Sequence, residues 1–299
     1  MVVVAIIAPT STIGSPLVQA IQSTQHKVVT VSRSPQPELS AKGIPTHVAT
    51  YLPGGHATLV AFLKAQKVHT IISGIWSLTG HVESHLAVLA AAKEAGVRRF
   101  APSEWSVPVY QTIGLYAMKL EVWQECLKSG LEVTRFQCGI WINTLGYGAT
   151  KEPEEALAGY HGPTVGIFMD KGAATLVKDG NDELVFSRLQ DIVPLVVKSL
   201  DLPKWEHDSF IVGDRTTFKN ILNVAQQVTG RSFEVKYLSE HDIDQGLQSS
   251  DIIEKLSSQF YKALANRELS FGQGQTLNKT FPNVGMITVE QFIKRHFGR

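Results

Sequence analysis

The sequence predicts an α/β fold: a doubly wound parallel sheet followed by a smaller, mixed α/β C-terminal region. Three observations carry this. In the first half, short apolar strand patterns alternate with helical patterns. The first strand runs straight into a polar turn and a helix. After about residue 145 the alternation breaks up. Strands joined by helices need crossover connections, and crossovers make parallel neighbours.

Each element follows from its pattern. Val2–Ala8 is a continuous apolar run, as expected of a strand buried on both faces. Ser15–Ser23 places Leu17, Val18 and Ile21 at helical spacing. "HKVVTVSRS" predicts a second strand ending at Ser32-Arg33-Ser34, and "THVATY" a short third. "GGHATLVAFLKAQK" predicts a helix and "VHTIISGI" the fourth strand. "HVESHLAVLAAAKEAGV" is an Ala-rich helix stopped at Gly96. "RRFAPSEW" is a fifth strand running into a loop, "GLYAMKLEVWQECLKSG" a helix closed by Gly130, and "EVTRFQCG" a sixth strand. Beyond it, "GYGATKEPEEALAGYHGP" reads as loop, and a hairpin is expected around "DGND" with a helix from Asp191. "FIVGD" reads as a strand, "TFKNILNVAQQVTG" as a helix and "FEVKYLS" as a strand. The chain from His241 is mostly helical. Residues 1–145 are expected to form the sheet domain and 146–299 a substrate-covering region, with some later segments returning to the sheet.

Composition narrows the function. The 299 residues are 43% hydrophobic, enough for a sizeable core, and the formal net charge is +1. That balance lacks the basic excess of a nucleic-acid binder. Cys126 and Cys138 make neither a disulfide framework nor a metal pair and read as reduced thiols. "MVVVAIIA" is apolar for eight residues before Pro9, too short for a signal peptide or a membrane span. A soluble, cytoplasmic protein with a small-molecule partner is expected, with no membrane and no nucleic-acid partner. The oligomeric state has no sequence signal. His81 and His85, in "HVESH", do not match the His-Glu-x-x-His zinc motif. They read as surface or cleft residues, and no metal is expected.

Ligands of such sheets lie at the carboxyl ends of the strands. The exits are Ala8–Gly14, Ser32–Ser34, Ser73–Trp76, Pro102–Trp105 and Cys138–Asn143. "AIIAPTSTIGSPL", residues 5–17, resembles a dinucleotide fingerprint in which Ala8, Ser11 and Gly14 hold the three glycine positions. Alanine at the first is a modest change if its φ is negative. Thr10, Ser11 and Thr12 offer hydroxyls to a phosphate, and Ile13 and Gly14 open a helix whose N–H groups are free to bind one. An ordinary strand–turn–helix with no ligand is the alternative. Arg33 follows the second strand, where an arginine suits a 2′-phosphate and so NADP rather than NAD; a solvated surface arginine is its alternative. Ser73, Gly74 and Gly139 complete the expected cofactor-facing set. Trp76, Trp141 and Tyr147 are candidates for contact with a planar substrate, or else packing residues.

"RRFAPSEW" resembles the "RF.PSEFG" stretch of the NmrA-like and isoflavone-reductase-like proteins, which are atypical short-chain dehydrogenases/reductases. "AAAKEAGVRRF", "DGNDELVFSRLQDIVPLVVKSLDLP" and "VGDRTTFKNILNVAQQVTGRSFEVKYLS" are similar too. The resemblance reaches to roughly residue 245 and is closest to fungal-type members. It implies a Rossmann-type NADP(H) domain and a smaller substrate domain. The chain departs from the family's GxTGxxG turn at Ala8 and Ser11, and from its Phe-Gly at Trp105-Ser106. By position, Lys119 in "LYAMKLEVW" matches the lysine that serves the family's reductases in catalysis. It would also hold the cofactor ribose. Tyr116, three residues earlier, shares its helix face. "YGATK", Tyr147 to Lys151, matches the ordinary Tyr-x-x-x-Lys pair but lies after the sixth strand and is read as a decoy. The expected function is an NADP(H)-dependent reductase of a small aromatic or polycyclic secondary metabolite. A non-redox cyclase, isomerase or rearrangement enzyme and an NADP-sensing regulatory protein are the alternatives.

Overall fold

A computed structural model describes residues 1–51, 53–107, 109–269, 271 and 275–298, with backbone alone at Pro53 and Leu115. The chain forms two compact units. The first comprises Met1–Trp105, Ala117–Phe136 and Val193–Ser209; the second comprises Ser106–Tyr116, Gln137–Ile192 and Phe210–Arg299.

The first unit is built on six strands: β1 (Val3–Ile7), β2 (Lys27–Ser32), β3 (Thr46–Val48), β4 (Thr70–Ser73), β5 (Arg99–Ala101) and β6 (Glu132–Val133). Their order is β3-β2-β1-β4-β5-β6, and every neighbouring pair is parallel. The order reverses between β1 and β4, so a crevice opens at the carboxyl ends of those two strands. Val4–Ile7 have no exposed surface, which accounts for the unbroken apolar run of β1. The helices of the alternating pattern are α1 (Gly14–Gln22), α2 (Pro37–Ala41), α3 (His56–Ala65), α4 (His81–Ala95) and α5 (Gly114–Lys128). Gly96 ends α4 in the left-handed conformation, at φ 76°. Ile7, Val31, Leu63, Ile71, Val88 and Phe100 meet in the core of this unit.

Buried Arg99 ties the late segment Val193–Ser209 to the sheet. Its guanidinium pairs with Glu132 at 2.9 Å and donates to the carbonyls of Leu200 (3.2 Å) and Leu202 (2.7 Å). It also lies over the Trp205 ring, 5.2 Å from the centroid. A buried charge is tolerated here because each of the three guanidinium nitrogens has an acceptor.

The second unit holds two three-stranded sheets. In one, Leu184–Ser187 is central between Ile140–Trp141 and Asp214–Thr216; in the other, Ala173–Val177 is central between Ile167–Phe168 and Glu234–Leu238. The hairpin expected around "DGND" is therefore not formed. The local turn exists, with Asp179 accepting from the Asn181 amide at 3.1 Å. The strands on either side of it pair in different sheets, because more distant strands supply their partners. Three other expectations change. "EVTRFQCG" breaks at Thr134 into Glu132–Val133 and Arg135–Gln137. "FIVGD" lies mostly between the strands Asp208–Phe210 and Asp214–Thr216. The loop-like stretch after residue 145 contains a helix, Pro153–Leu157.

Among the described residues no helix is long and apolar enough to cross a membrane. Nor do any three His, Cys, Asp or Glu side chains group so as to hold a metal ion. Both cysteines are buried and unbridged, and burial pushes the Cys126 thiol up to about 12.

Candidate functional site

The turn after β1 is built by its own polar atoms. Ser11 Oγ donates to the Ala8 carbonyl at 2.8 Å and accepts from the Gly14 amide at 3.0 Å. A Cβ on Gly14 would stand 2.3 Å from the Ala8 oxygen and 2.8 Å from Ser11 Oγ, so the packing glycine is required. The same hydroxyl reaches β4: a Cβ on Gly74 would lie 2.4 Å from it. Three sequence expectations change here. Ala8 has φ +58°, the left-handed region that disfavours a side chain, and not the negative value that would make alanine benign. The Ser11 hydroxyl spends its proton inside the turn instead of offering it to a phosphate. Thr10 is exposed, Thr12 half-buried and Ile13 buried. No side chain caps α1 at Ile13, and its first turn has no acidic residue. The free N–H groups expected there are not free: the Gly14 amide donates to Ser11 Oγ, the Ser15 amide to the Ser11 carbonyl, and Pro16 has none, so the helix offers an anion its dipole.

Arg33 is exposed just past β2. Tyr51, which the sequence did not single out, stands close by and donates to the Val31 carbonyl at 2.8 Å. Burial pushes its phenol up to about 12, opposed by the Ala8 backbone and by Arg33.

The exits of β4 and β5 are knitted together by a histidine. His85 has no exposed surface and His81 almost none, so the surface or cleft placement expected for them is corrected. His85 Nδ1 lies 2.9 Å from the His81 carbonyl, to which it must donate. Its Nε2 is then an acceptor, taking the Ser103 amide (3.3 Å) and the Ser73 hydroxyl (3.1 Å). Trp105 Nε1 adds a bond to the Ser73 carbonyl at 2.9 Å. Burial pushes His81 down to about 3, helped by His85 and Lys119. Burial pushes His85 down to about 4, with the His81 carbonyl opposing and Lys119 helping. Both imidazoles are neutral at physiological pH.

Lys119 projects from α5 into this cluster and is 5% exposed. Its ammonium donates to the Glu104 carbonyl. The Trp76 ring, half exposed at the exit of β4, covers it with a centroid 5.6 Å from Nζ. Trp76 also meets His81 edge-on at 6.1 Å. Ser73, Gly74, Trp76 and Lys119 are thus gathered with His81, His85, Ser103 and Glu104. None of the last four was named as a site residue from sequence: His81 and His85 read as surface or cleft residues, their signal being the "HVESH" spacing on one helix face, and Ser103 and Glu104 only as part of the strand exit Pro102–Trp105.

The remaining candidates lie in the second unit. The Tyr116 hydroxyl pairs with Ser106 Oγ at 2.8 Å, whereas Lys119 takes the Glu104 carbonyl. Gly139 has φ +71°, and a Cβ there would stand 2.2 Å from the Val185 carbonyl, which gives this glycine a packing reason. Trp141 Nε1 donates to Cys138 Sγ at 3.2 Å and its ring meets Tyr160 edge-on at 5.9 Å. Tyr147 donates to the Gly162 carbonyl at 3.0 Å. Tyr147 and Lys151 lie outside any helix.

A parallel sheet in this order, with a helix-opening turn after its first strand, defines a Rossmann-type doubly wound protein. More narrowly, the chain belongs to the NmrA-like family, whose model matches residues 2–293. It is 31% identical over 242 residues to the oxidoreductase BOA1 of Botryotinia fuckeliana (strain B05.10), spanning 78% of each chain. It is 22% identical over 317 residues to the isoflavone reductase homolog P3 of Arabidopsis thaliana, spanning 96% of each. Among solved structures, the leucoanthocyanidin reductase of Vitis vinifera in binary complex with NADPH is similar, with a TM-score of 0.78 at 18% identity over 99% of both chains. The NADPH-dependent quinone oxidoreductase QOR2 of Escherichia coli, complexed with NADPH, gives 0.75 at 18% identity, covering 99% of this chain and all of that one. At such identities these structures establish the shared fold.

Proposed function

We propose that the chain is an NADP(H)-dependent reductase of a small aromatic or polycyclic metabolite. One observation carries the reading: the ammonium of Lys119 is held at the carboxyl end of the sheet, on the Glu104 carbonyl and beneath an aromatic ring. Such a group can hold or deliver a proton at a substrate oxygen, and the half-exposed Trp76 suits a planar substrate. The names of relatives support the class, an oxidoreductase and an isoflavone reductase homolog.

The residues fit the cofactor. The start of α1, with no acid in its first turn, suits a pyrophosphate through the helix dipole. Thr10 and Thr12 lie beside it, and exposed Arg33 suits the 2′-phosphate. Ser73 and Gly74 line the neighbouring exit, and Gly139 keeps its place as a candidate. When bound, NADPH supplies the hydride. Tyr116 keeps its proposed part in proton handling, and Trp141 and Tyr147 theirs in substrate contact.

A second reading, a cyclase, isomerase or rearrangement catalyst, has one observation in its favour. The turn that would meet the pyrophosphate carries a left-handed alanine and a serine in place of two glycines. The experiment that separates the two follows nicotinamide absorbance while aromatic ketones, quinones and phenylpropanoid ethers are supplied. Stoichiometric NADPH consumption, lost in Lys119→Met, supports the reductase. Product formed equally well without cofactor supports the second reading.

A further inference from the structure

We propose that His85 is a positioning residue for Lys119, acting through the turn Ser103–Glu104. The functional weight of this rests on the reading of Lys119 as the proton-handling residue; the structural claim does not.

The turn is tight and needs holding. The Glu104 amide donates back to the Pro102 carbonyl at 3.0 Å, which closes a γ-turn centred on Ser103. Trp105, next in the chain, sits at φ +43°, a left-handed value unfavourable to a bulky residue. Two side-chain bonds anchor this segment from either side. His85 Nε2 takes the Ser103 amide, and the Trp105 indole donates to the Ser73 carbonyl. The carbonyl of Glu104, one residue beyond that anchored amide, is the acceptor of the Lys119 ammonium. Fixing the Ser103 amide therefore fixes the direction of the oxygen that seats Nζ.

Only a neutral imidazole in one tautomer fills this role. Its Nδ1–H is committed to the His81 carbonyl, one helical turn back on α4. Its Nε2 must accept, because the Ser103 amide can only donate. A protonated ring would present a second N–H to that amide and break the seat. Burial disfavours its protonation most and Lys119 on α5 adds to that, while the His81 carbonyl on its own helix opposes them.

The test uses the full chain and needs no substrate. In 15N NMR, a lysine ammonium held on a carbonyl and shielded from water gives a slowly exchanging Nζ–H signal; that of Lys119 is assigned by its loss in Lys119→Arg. His85→Phe keeps an aromatic ring and removes all three ring hydrogen bonds, whereas His85→Gln keeps a carbonyl acceptor. The expected result is loss of the Lys119 signal in His85→Phe. Amide exchange at Ser103 should be faster by about tenfold or more. His85→Gln should recover part of both effects. Thermal unfolding and NADPH calorimetry show that each variant is folded. An unchanged Lys119 signal in folded His85→Phe, with only the melting temperature lowered, would reduce His85 to a packing residue. A protein that shows the signal but binds no NADPH would contradict the proposed function and leave the positioning intact.

Discussion

The ring of Trp76 lies over the ammonium of Lys119, with 5.6 Å between Nζ and the ring centroid. One residue is half exposed and the other almost wholly buried. The lysine is thus desolvated above by the indole and seated below on a peptide oxygen. A cation–π contact of this kind contributes on the order of 1 kcal/mol. Its larger effect is to keep water from the proton that Lys119 carries.

Kinetics of two variants test this pairing. Lys119→Met should lower kcat about a hundredfold or more, the usual cost of losing a positioned acid or base. Trp76→Ala should act mainly on KM for the aromatic substrate, by roughly tenfold, while Trp76→Phe stays near the parent. Steady-state rates at saturating NADPH separate the two outcomes. Equal kcat in Lys119→Met and the parent would remove Lys119 from the reaction.

Ala8 stands at φ +58°, where an L-residue is strained by about 1–2 kcal/mol relative to the usual regions. Glycine would relieve that strain at some cost in chain entropy. Ala8→Gly should therefore stabilise the protein by about 0.5–1 kcal/mol, read as a higher denaturant midpoint with an unchanged slope. A lower midpoint would mean that the alanine methyl is worth more as a contact than the strain it imposes.

Ser11 and Gly74 form a steric pair across β1 and β4. A methyl at residue 74 would lie 2.4 Å from the Ser11 hydroxyl. Gly74→Ala should cost about 1–3 kcal/mol, and Ser11→Gly should give part of it back. A double-mutant cycle by urea unfolding measures the coupling. Strict additivity would show that the clash is relieved by backbone movement.

The two buried histidines predict an acid limb in stability. Their folded pKa values, about 3 for His81 and about 4 for His85, lie below the unfolded value of 6.5. Above that value both states are unprotonated and the stability they allow is fully present. As pH falls from 6.5 toward 4, the unfolded chain takes up protons that the native one refuses. Stability is then lost at up to about 1.4 kcal/mol per pH unit for each histidine. Below their folded values the loss levels off. Urea midpoints between pH 7 and 4 should fall less steeply in His85→Gln than in the parent. Parallel curves would contradict the depressed values.

Much of the first unit was legible in the sequence because its cause is local. An apolar run such as Val4–Ile7 suits a doubly covered strand, and the repeated alternation of strand and helix in this unit suits parallel neighbours. What stayed illegible depended on distant partners or on backbone angles. Nothing in the letters of "AIIAPTSTIGSPL" reveals that Ala8 is left-handed or that the Ser11 hydroxyl turns inward toward Gly14 and residue 74. "DGND" has the chemistry of a turn and makes one. Its flanking strands are claimed by partners elsewhere in the chain, which turn chemistry cannot foresee. His81 and His85 read as surface or cleft residues because histidine is polar. His85 is buried with its ring on three backbone and side-chain partners, and His81 is buried by ring contacts with His85 and Trp76.

Calorimetric titration with NADPH tests the central claim most directly, performed beside NADH and on Arg33→Ala. Saturable binding at one site per chain is predicted, with NADPH tighter than NADH. Arg33→Ala should lose that preference by about tenfold or more, as expected for a bidentate phosphate contact. No heat and no thermal stabilisation with either NADPH or NADP+ would contradict the account, whatever Lys119 proves to do.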